Sequence, residues 1–263
     1  MLDEKLQEEL IQNGRSFCRG VRSDDPYLGQ FESDQEMGLP QPPLTKAPVT
    51  LEEKWIRLPM DYNGLPATTL HKICLQRRSH RAYERRSISL LELSYLLWTT
   101  QGITGIRGKQ YATLRPVPSG GARHPFETYL LVNHVEGLAG GIYHYLPAEN
   151  ALEPLGDLEN WDDTVTALLH GQRWAAQSGV IFLWSLVPYR AEWRYGIYAH
   201  RTALIDVGHV GQNLYLATTE LGLGTCAVAA FDGALCGKLL GLNDGEEFVI
   251  YSAPVGTVLR QDG

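Results

Sequence analysis

Cysteine is scarce in this chain of 263 residues, and the four present, Cys18, Cys74, Cys226 and Cys236, form no CxxC pair. That spacing argues against zinc knuckles and dithiol redox chemistry, and reduced, mostly buried thiols are the expectation. There is no HExxH sequence, and no two of the eight histidines stand with Cys or Glu at ligand spacing, so no metal site is expected. No apolar run approaches the roughly 20 residues that a bilayer-crossing helix needs. The opening MLDEKLQEEL is acidic and has none of the zones of a secretory signal, which makes the cytoplasm the expected location. Positive charge is in deficit: 23 Lys and Arg against 30 Asp and Glu give a formal net charge of −7, which disfavours nucleic acid as a partner. No GxGxxG follows a strand-like run, so a separate dinucleotide domain is not indicated.

What is present divides the chain in two. Residues 1–66 read as an arm. A short helix is expected over 3–13, with Leu6, Leu10 and Ile11 on one side, followed by a Pro-, Gly- and acid-rich stretch in which Pro40, Pro42, Pro43 and Pro48 exclude helix. Trp55 and Ile56 in LEEKWIRLP give part of this arm a reason to dock. Residues 67–263 read as the body. TTLHKICLQRRS suggests a helix with Leu70, Ile73 and Cys74 on one face. SLLELSYLLWTTQG is a stronger one, with Ser89 and Glu92 as a capping box and Gly102 as its stop. FETYLLVNHV alternates like a strand, GGIYHYLPAENALEPL reads as a hairpin, WDDTVTALLHGQ as a helix and SGVIFLWSLV as a buried strand. The longest helix is expected over about 192–221. Along it Ala203, Val207, Val210, Leu214, Ala217 and Leu221 form a narrow apolar seam, suited either to internal packing or to a dimer. GLGTCAVAAF then leads into a strand, DGALCGKLLGL into a short helix and EEFVIYSAPVG into a last strand. Elements interleave without strict βαβ order, so the fold class is α+β.

Against the overall negative charge, residues 76–83, QRRSHRAY, gather cations. Guanidinium forks and a hydroxyl suit a phosphate, and in an extended segment Arg77, Ser79 and Arg81 project to one side. The alternative is a solvated helix end whose charge complements the helix dipole. Two glycine-bearing stretches bear on the choice. In RPVPSGGARHPFETYLLV, Pro116 and Pro118 stiffen the backbone before Ser119, Gly120 and Gly121 open a turn that a planar ring or sugar chain can approach. In LGLGTCAVAAFD, Gly222 can end the long helix, and Gly224 with Ala227, Ala229 and Ala230 leaves an uncrowded edge.

Taken together, RxSxR, PSGGA and GLGTCAVAAF resemble the FMN-dependent nitroreductase superfamily over roughly residues 68–260. QGITG and HRTALIDVGHVGQNLYLATTELGLGT are similar to its SagB-type dehydrogenase branch, which includes azoline oxidases. The resemblance implies a central, mainly antiparallel sheet flanked by helices, with FMN at a homodimer interface. It also implies an oxidation on a peptide or small molecule. Arg77, Ser79 and Arg81 would hold the FMN phosphate, with Arg260 as a final basic contact. Pro118, Ser119 and Gly120 would lie along the isoalloxazine. Gly224, Val228, Ala229 and Ala230 would pass its reactive edge, and Gln212, beside Asn213, matches the family's QN pair. One departure stands out. Where azoline oxidases often carry a Lys-Tyr pair, this chain has Arg194 and Tyr195. Arginine stays protonated, so Arg194 is suited to binding a carboxylate or polarising a carbonyl, and Tyr195 is the candidate acid or base. Tyr111, Trp193 and Tyr198 are further pocket candidates. An NAD(P)H-dependent nitro- or quinone reductase, or a flavin-free partner subunit of a peptide-modifying complex, are the competing readings.

Overall fold

Alternation along two strands builds both cores. In β4 (Phe126–Val132), Phe126, Leu130 and Val132 enter one hydrophobic cluster while Tyr129 and Leu131 enter another; in β7 (Val180–Leu186), Phe182 and Trp184 go with the first, Ile181 and Leu183 with the second. Side chains of a strand point alternately to its two faces. A strand buried on every residue therefore means a sheet covered on both sides, and both strands are.

The computed structural model describes residues 3–21, 23–84 and 86–258. The remaining strands and helices, in chain order, are α1 (Glu4–Cys18), β1 (Ile56–Arg57), α2 (Leu70–Gln76), α3 (Leu90–Gln101), β2 (Gly105–Arg107), β3 (Ala112–Leu114), β5 (Gly141–Leu146), β6 (Ala151–Gly156), α4 (Trp161–Leu168), α5 (Tyr189–Tyr195), α6 (Ala199–Leu221), β8 (Leu223–Thr225), α7 (Gly233–Leu240) and β9 (Phe248–Thr257). Seven strands form one sheet in the order β1-β6-β5-β4-β7-β9-β8, every pair antiparallel, and β2 with β3 makes a separate hairpin. The fold is α+β, as the interleaved pattern predicts. Helices α3 and α6 cover one face; α4 and α7 cover the other. The Ser89–Glu92 capping box forms, Gly102 caps the end of α3, and Gly222 ends α6 in the left-handed conformation.

Three expectations need correction, and one open choice is resolved. The helix expected over 192–221 is two helices: Gly196, at φ 48°, turns the chain between α5 and α6, and the place of a Cβ there is occupied by the Phe31 ring. The apolar seam on α6 lies wholly inside the first core, so internal packing takes it. In α2 only Ile73 is buried; Leu70 and Cys74 are exposed, and the helix stops at Gln76, leaving RRSHRAY non-helical. Two of the thiols, Cys18 and Cys74, are exposed, while Cys226 and Cys236 are buried.

The arm is tied to the body by its backbone. Lys46 N–H donates to Glu127, the amides of Val49 and Thr50 to Glu153, and β1 pairs with β6. Further out, α1 carries Leu6, Leu10, Ile11 and Phe17 exposed and meets the body where Arg201 donates to the Cys18 carbonyl. No helix among the described residues is long and apolar enough to cross a membrane.

Candidate active site

Chemistry-bearing residues gather in two clusters on opposite flanks of α6. The first forms around the PSGG turn. Ser119 Oγ donates to Asp206 Oδ2 at 2.7 Å, and the Gly120 amide donates to the same oxygen at 2.8 Å. Ser119 Oγ also accepts from the His124 amide at 2.9 Å. The two glycines are required because a Cβ on Gly120 would strike Thr202, and one on Gly121 would meet the Arg194 stem and the Tyr195 hydroxyl. The turn thus admits Tyr195 and Arg194 of its own chain, where the sequence suggested approach by a ring or sugar. Burial pushes the Asp206 carboxyl up, and the Ser119 and Gly120 donors oppose it. Nothing in its local sequence distinguishes Asp206 from a surface acid in an amphipathic helix, so this organising residue is not visible before folding.

Arg194 Nη1 donates to the Tyr111 hydroxyl at 2.6 Å and to Gln35 Oε1 at 3.1 Å, while Gln35 Nε2 donates to the same hydroxyl at 3.0 Å. Beside it Arg123, 3% exposed, lies over the Tyr111 ring at 4.8 Å and the Trp193 ring at 5.4 Å. Arg123 also donates to the Gly121 and Tyr111 carbonyls. Cation–π contacts contribute about 0.5–2 kcal/mol, whereas withdrawing an ion from water costs several kcal/mol. Tyr111 and Trp193 therefore belong to this cluster. Tyr198 does not: it lines a separate cleft of about 520 Å³ whose other walls include Phe17, Arg19, Asp25 and Tyr27.

The second cluster holds the arginine motif. Arg77 lies 5.4 Å over the Tyr215 ring, and Ser79 Oγ is 3.1 Å from the Tyr215 hydroxyl, which accepts the Ala227 amide at 2.9 Å. Arg81 lies over Trp174 at 5.9 Å. No ion pair among the described residues reaches Arg77 or Arg81. Arg78 turns back onto the Leu75 and Arg77 carbonyls at the end of α2, the helix-end role that positive charge suits. His80 points the other way, against Gly224. A Cβ at Gly224 would meet the His80 and Val258 side chains, so this glycine sits under protein atoms and presents no open edge. Val228 is buried and bridges Ser252, whereas Ala229 and Ala230 are exposed, and neither of their amides donates a hydrogen bond among the described residues. Gln212 is exposed; Asn213 donates to the Thr99 carbonyl. Arg260 lies outside the described residues.

Asp206 and Tyr215 are nine residues apart on α6. At 3.6 residues per turn that separation amounts to two and a half revolutions, so the clusters face opposite sides of the helix, about 13 Å apart along its axis. Between them runs an exposed strip with Leu204, Ile205, Gly208, His209 and Gln212. One chain does not join the two clusters.

The Nitroreductase family profile matches residues 74–257, and the chain belongs to that family. It is 33% identical over 187 residues to a protein of Methanocaldococcus jannaschii named as a nitroreductase, covering 71% of this chain and 90% of the relative. The microcin B17-processing protein McbC of Escherichia coli is 29% identical over 134 residues, which span 49% of each chain. Among solved structures, the E. coli microcin synthetase McbBCD complex with truncated pro-MccB17 bound has a chain that superposes with a TM-score of 0.58 at 19% identity, covering 98% of this chain and 95% of that one. That last likeness is one of fold.

Proposed function

We propose that the protein is an FMN-dependent oxidoreductase of the SagB-type branch, acting as a homodimer on an azoline or related amino-acid-derived bond of a peptide or small molecule. The observation that carries this reading is the placement of the two clusters. Arg77 and Arg81, which no ion pair among the described residues reaches, flank Ser79 on one side of α6, and the PSGG turn with Tyr195 stands on the other. A second copy packed on the exposed apolar strip between them would bring one chain's arginines toward its partner's turn.

The residues present fit FMN. Two guanidiniums and a hydroxyl would hold the phosphate, and the amides of Ala229 and Ala230, which donate no hydrogen bond among the described residues, would face the ring edge as fixed donors. When bound, FMN supplies a two-electron acceptor for the substrate's hydride. The chain does the rest. Asp206 fixes the turn, the turn fixes Tyr195, and the Tyr195 hydroxyl exchanges a proton with the substrate while Arg194, always charged, fixes its orientation. Similarity to McbC and to the microcin synthetase complex supports a peptide-derived substrate and work within a peptide-modifying assembly.

The match to the M. jannaschii nitroreductase over most of both chains favours a second reading, an NAD(P)H-dependent reductase. Anaerobic mixing with NADH and NADPH separately decides between them. Slow or absent bleaching of the flavin supports the oxidase, and rapid bleaching replaces it with the reductase. Protein that is colourless and takes up no added FMN overturns both. Tyr195→Phe is expected to lower turnover while flavin content holds, and unchanged turnover would remove Tyr195 from the mechanism.

A further inference from the structure

We propose that Arg194, Arg123 and the Tyr111 hydroxyl form a carboxylate-binding subsite beside Tyr195. The substrate would then carry a free carboxylate: an amino-acid-derived acid or a peptide C-terminus, not an internal stretch of peptide. Its placement against the reacting bond rests on the proposed flavin site; the subsite itself does not.

Charge provides the first argument. Of the two arginines most hidden among the described residues, Arg190, 5% exposed, has Glu127 at 2.5 Å as its counter-ion. Arg123 is equally hidden and Arg194 stands beside it, yet no ion pair among the described residues reaches either one. Acidic residues are not in short supply, with 30 in the chain. The carboxylate on the far side of the turn, Asp206, is committed to Ser119 and Gly120. Burial pushes the Arg123 guanidinium down from its ordinary value, and the neighbouring Arg194 adds to that effect. Carbonyl oxygens and aromatic faces satisfy geometry here without supplying a negative charge.

Hydrogen bonding points the same way. A tyrosine hydroxyl has one proton to give and two lone pairs. Tyr111 accepts from both Arg194 and Gln35 and donates no hydrogen bond among the described residues, so its proton is unspent. The Gln35 carboxamide oxygen already occupies one acceptor position on Arg194. A ligand oxygen could replace it there, receive the Tyr111 proton and, if charged, neutralise the arginine pair. A neutral amide would satisfy the donors and leave the charge.

The same cations would also suit an anion on FMN, so the test separates the two sources. The full-length protein as purified is titrated with benzoate and with its neutral isostere benzamide. Tryptophan fluorescence, which Trp193 reports, and calorimetry are the readouts. Benzoate is expected to bind at least tenfold more tightly, with the advantage shrinking as salt is added. Arg194→Gln is expected to abolish the preference at unchanged FMN content, Arg194→Lys to restore part of it, and Tyr111→Phe to weaken benzoate several-fold. Equal binding of the two probes overturns the proposal, as does a preference indifferent to Arg194→Gln. Loss of FMN in Arg194→Gln with benzoate binding intact would assign the charge to the flavin and also overturn it. Protein that takes up no FMN yet still prefers benzoate would sink the flavin reading while leaving the subsite standing.

Discussion

Two groups of charged residues in this chain use the same side chains to opposite ends. In the sheet, burial pushes the Glu127 carboxyl up, and Arg190 and His144 more than reverse it, holding the group at about 2. His144 contacts Glu127 at 3.0 Å and Glu153 at 3.3 Å, one ring nitrogen to each, and these two carboxylates raise its pKa against the effect of burial, which favours the imidazolium. Lys46 from the arm closes the network on Glu247 at 2.5 Å, and Glu247 also accepts from Tyr129 and Ser185. At the surface, no ion pair among the described residues reaches Arg77 or Arg81. Matched buried charges tie the arm to the sheet; the accessible ones have no such partner among the described residues and, under the proposed function, would meet a ligand.

The strongest way to break that contrast is to unmatch the matched set. Glu127→Ala would leave Arg190 and His144 buried without their partner, at a cost of about 3–5 kcal/mol. Arg77→Ala with Arg81→Ala, which gives up two cation–π contacts at the surface, should cost no more than about 1–2 kcal/mol. Urea denaturation of both variants measures this. A cost below about 1 kcal/mol for Glu127→Ala would mean the network is incidental.

The surface pair should show the reverse profile. Losing two charge-assisted contacts to a phosphate should weaken FMN binding by about a hundredfold or more. Flavin absorbance after titration of stripped protein would show it. Retained affinity in the double variant would move the phosphate elsewhere and end the assignment of this cluster.

The two groups also differ in how far they could be read from the sequence. Arg77, Ser79 and Arg81 lie within five positions, and a motif that local shows itself. Lys46, Glu127, His144, Glu153, Arg190 and Glu247 are spread over some two hundred positions, each alone on its own strand, helix or loop, and only the tertiary fold brings them together. The same reason hides Gln35 and Asp206. Periodicity did reveal the sheet strands β4, β5, β6, β7 and β9, the capped helix α3 and the α6 seam. It missed the β2–β3 hairpin, whose three-residue strands carry too few alternations to register. It also ran α5 into α6, because a single glycine in a helical pattern does not announce the ring that occupies its missing side chain.

Acidity offers a graded test of the buried group. The Glu127 and Glu153 carboxyls are depressed to about 2 from 4.5, so their contribution is complete above 4.5 and lost as pH falls through about 2. Burial pushes His144 down, but its two carboxylate partners raise it above 6.5 overall. Its contribution is therefore complete below 6.5 and lost as pH rises through the raised value. Denaturation midpoints should fall on both sides of a plateau, and His144→Gln should remove the alkaline limb while also weakening the acid one, because His144 helps to depress both carboxyls. An alkaline limb unchanged in that variant would show that His144 does not carry the charge.

The smallest expected effect lies inside the surface cluster and tests whether it is a built site or a loose patch of charge. Ser79 Oγ is held at 3.1 Å from Tyr215, whose hydroxyl rests on the Ala227 amide, so the serine connects the arginine motif to the segment that carries Ala229 and Ala230. As a neutral donor it should contribute a factor of about three to ten in FMN affinity. Ser79→Ala should cost that much, and Tyr215→Phe, which removes the group that fixes it, about the same. Because both act through one contact, combining them should cost little more than either alone. Fully additive losses would instead mean that the hydroxyls meet the phosphate separately and that nothing holds the arginine loop in register with the ring edge.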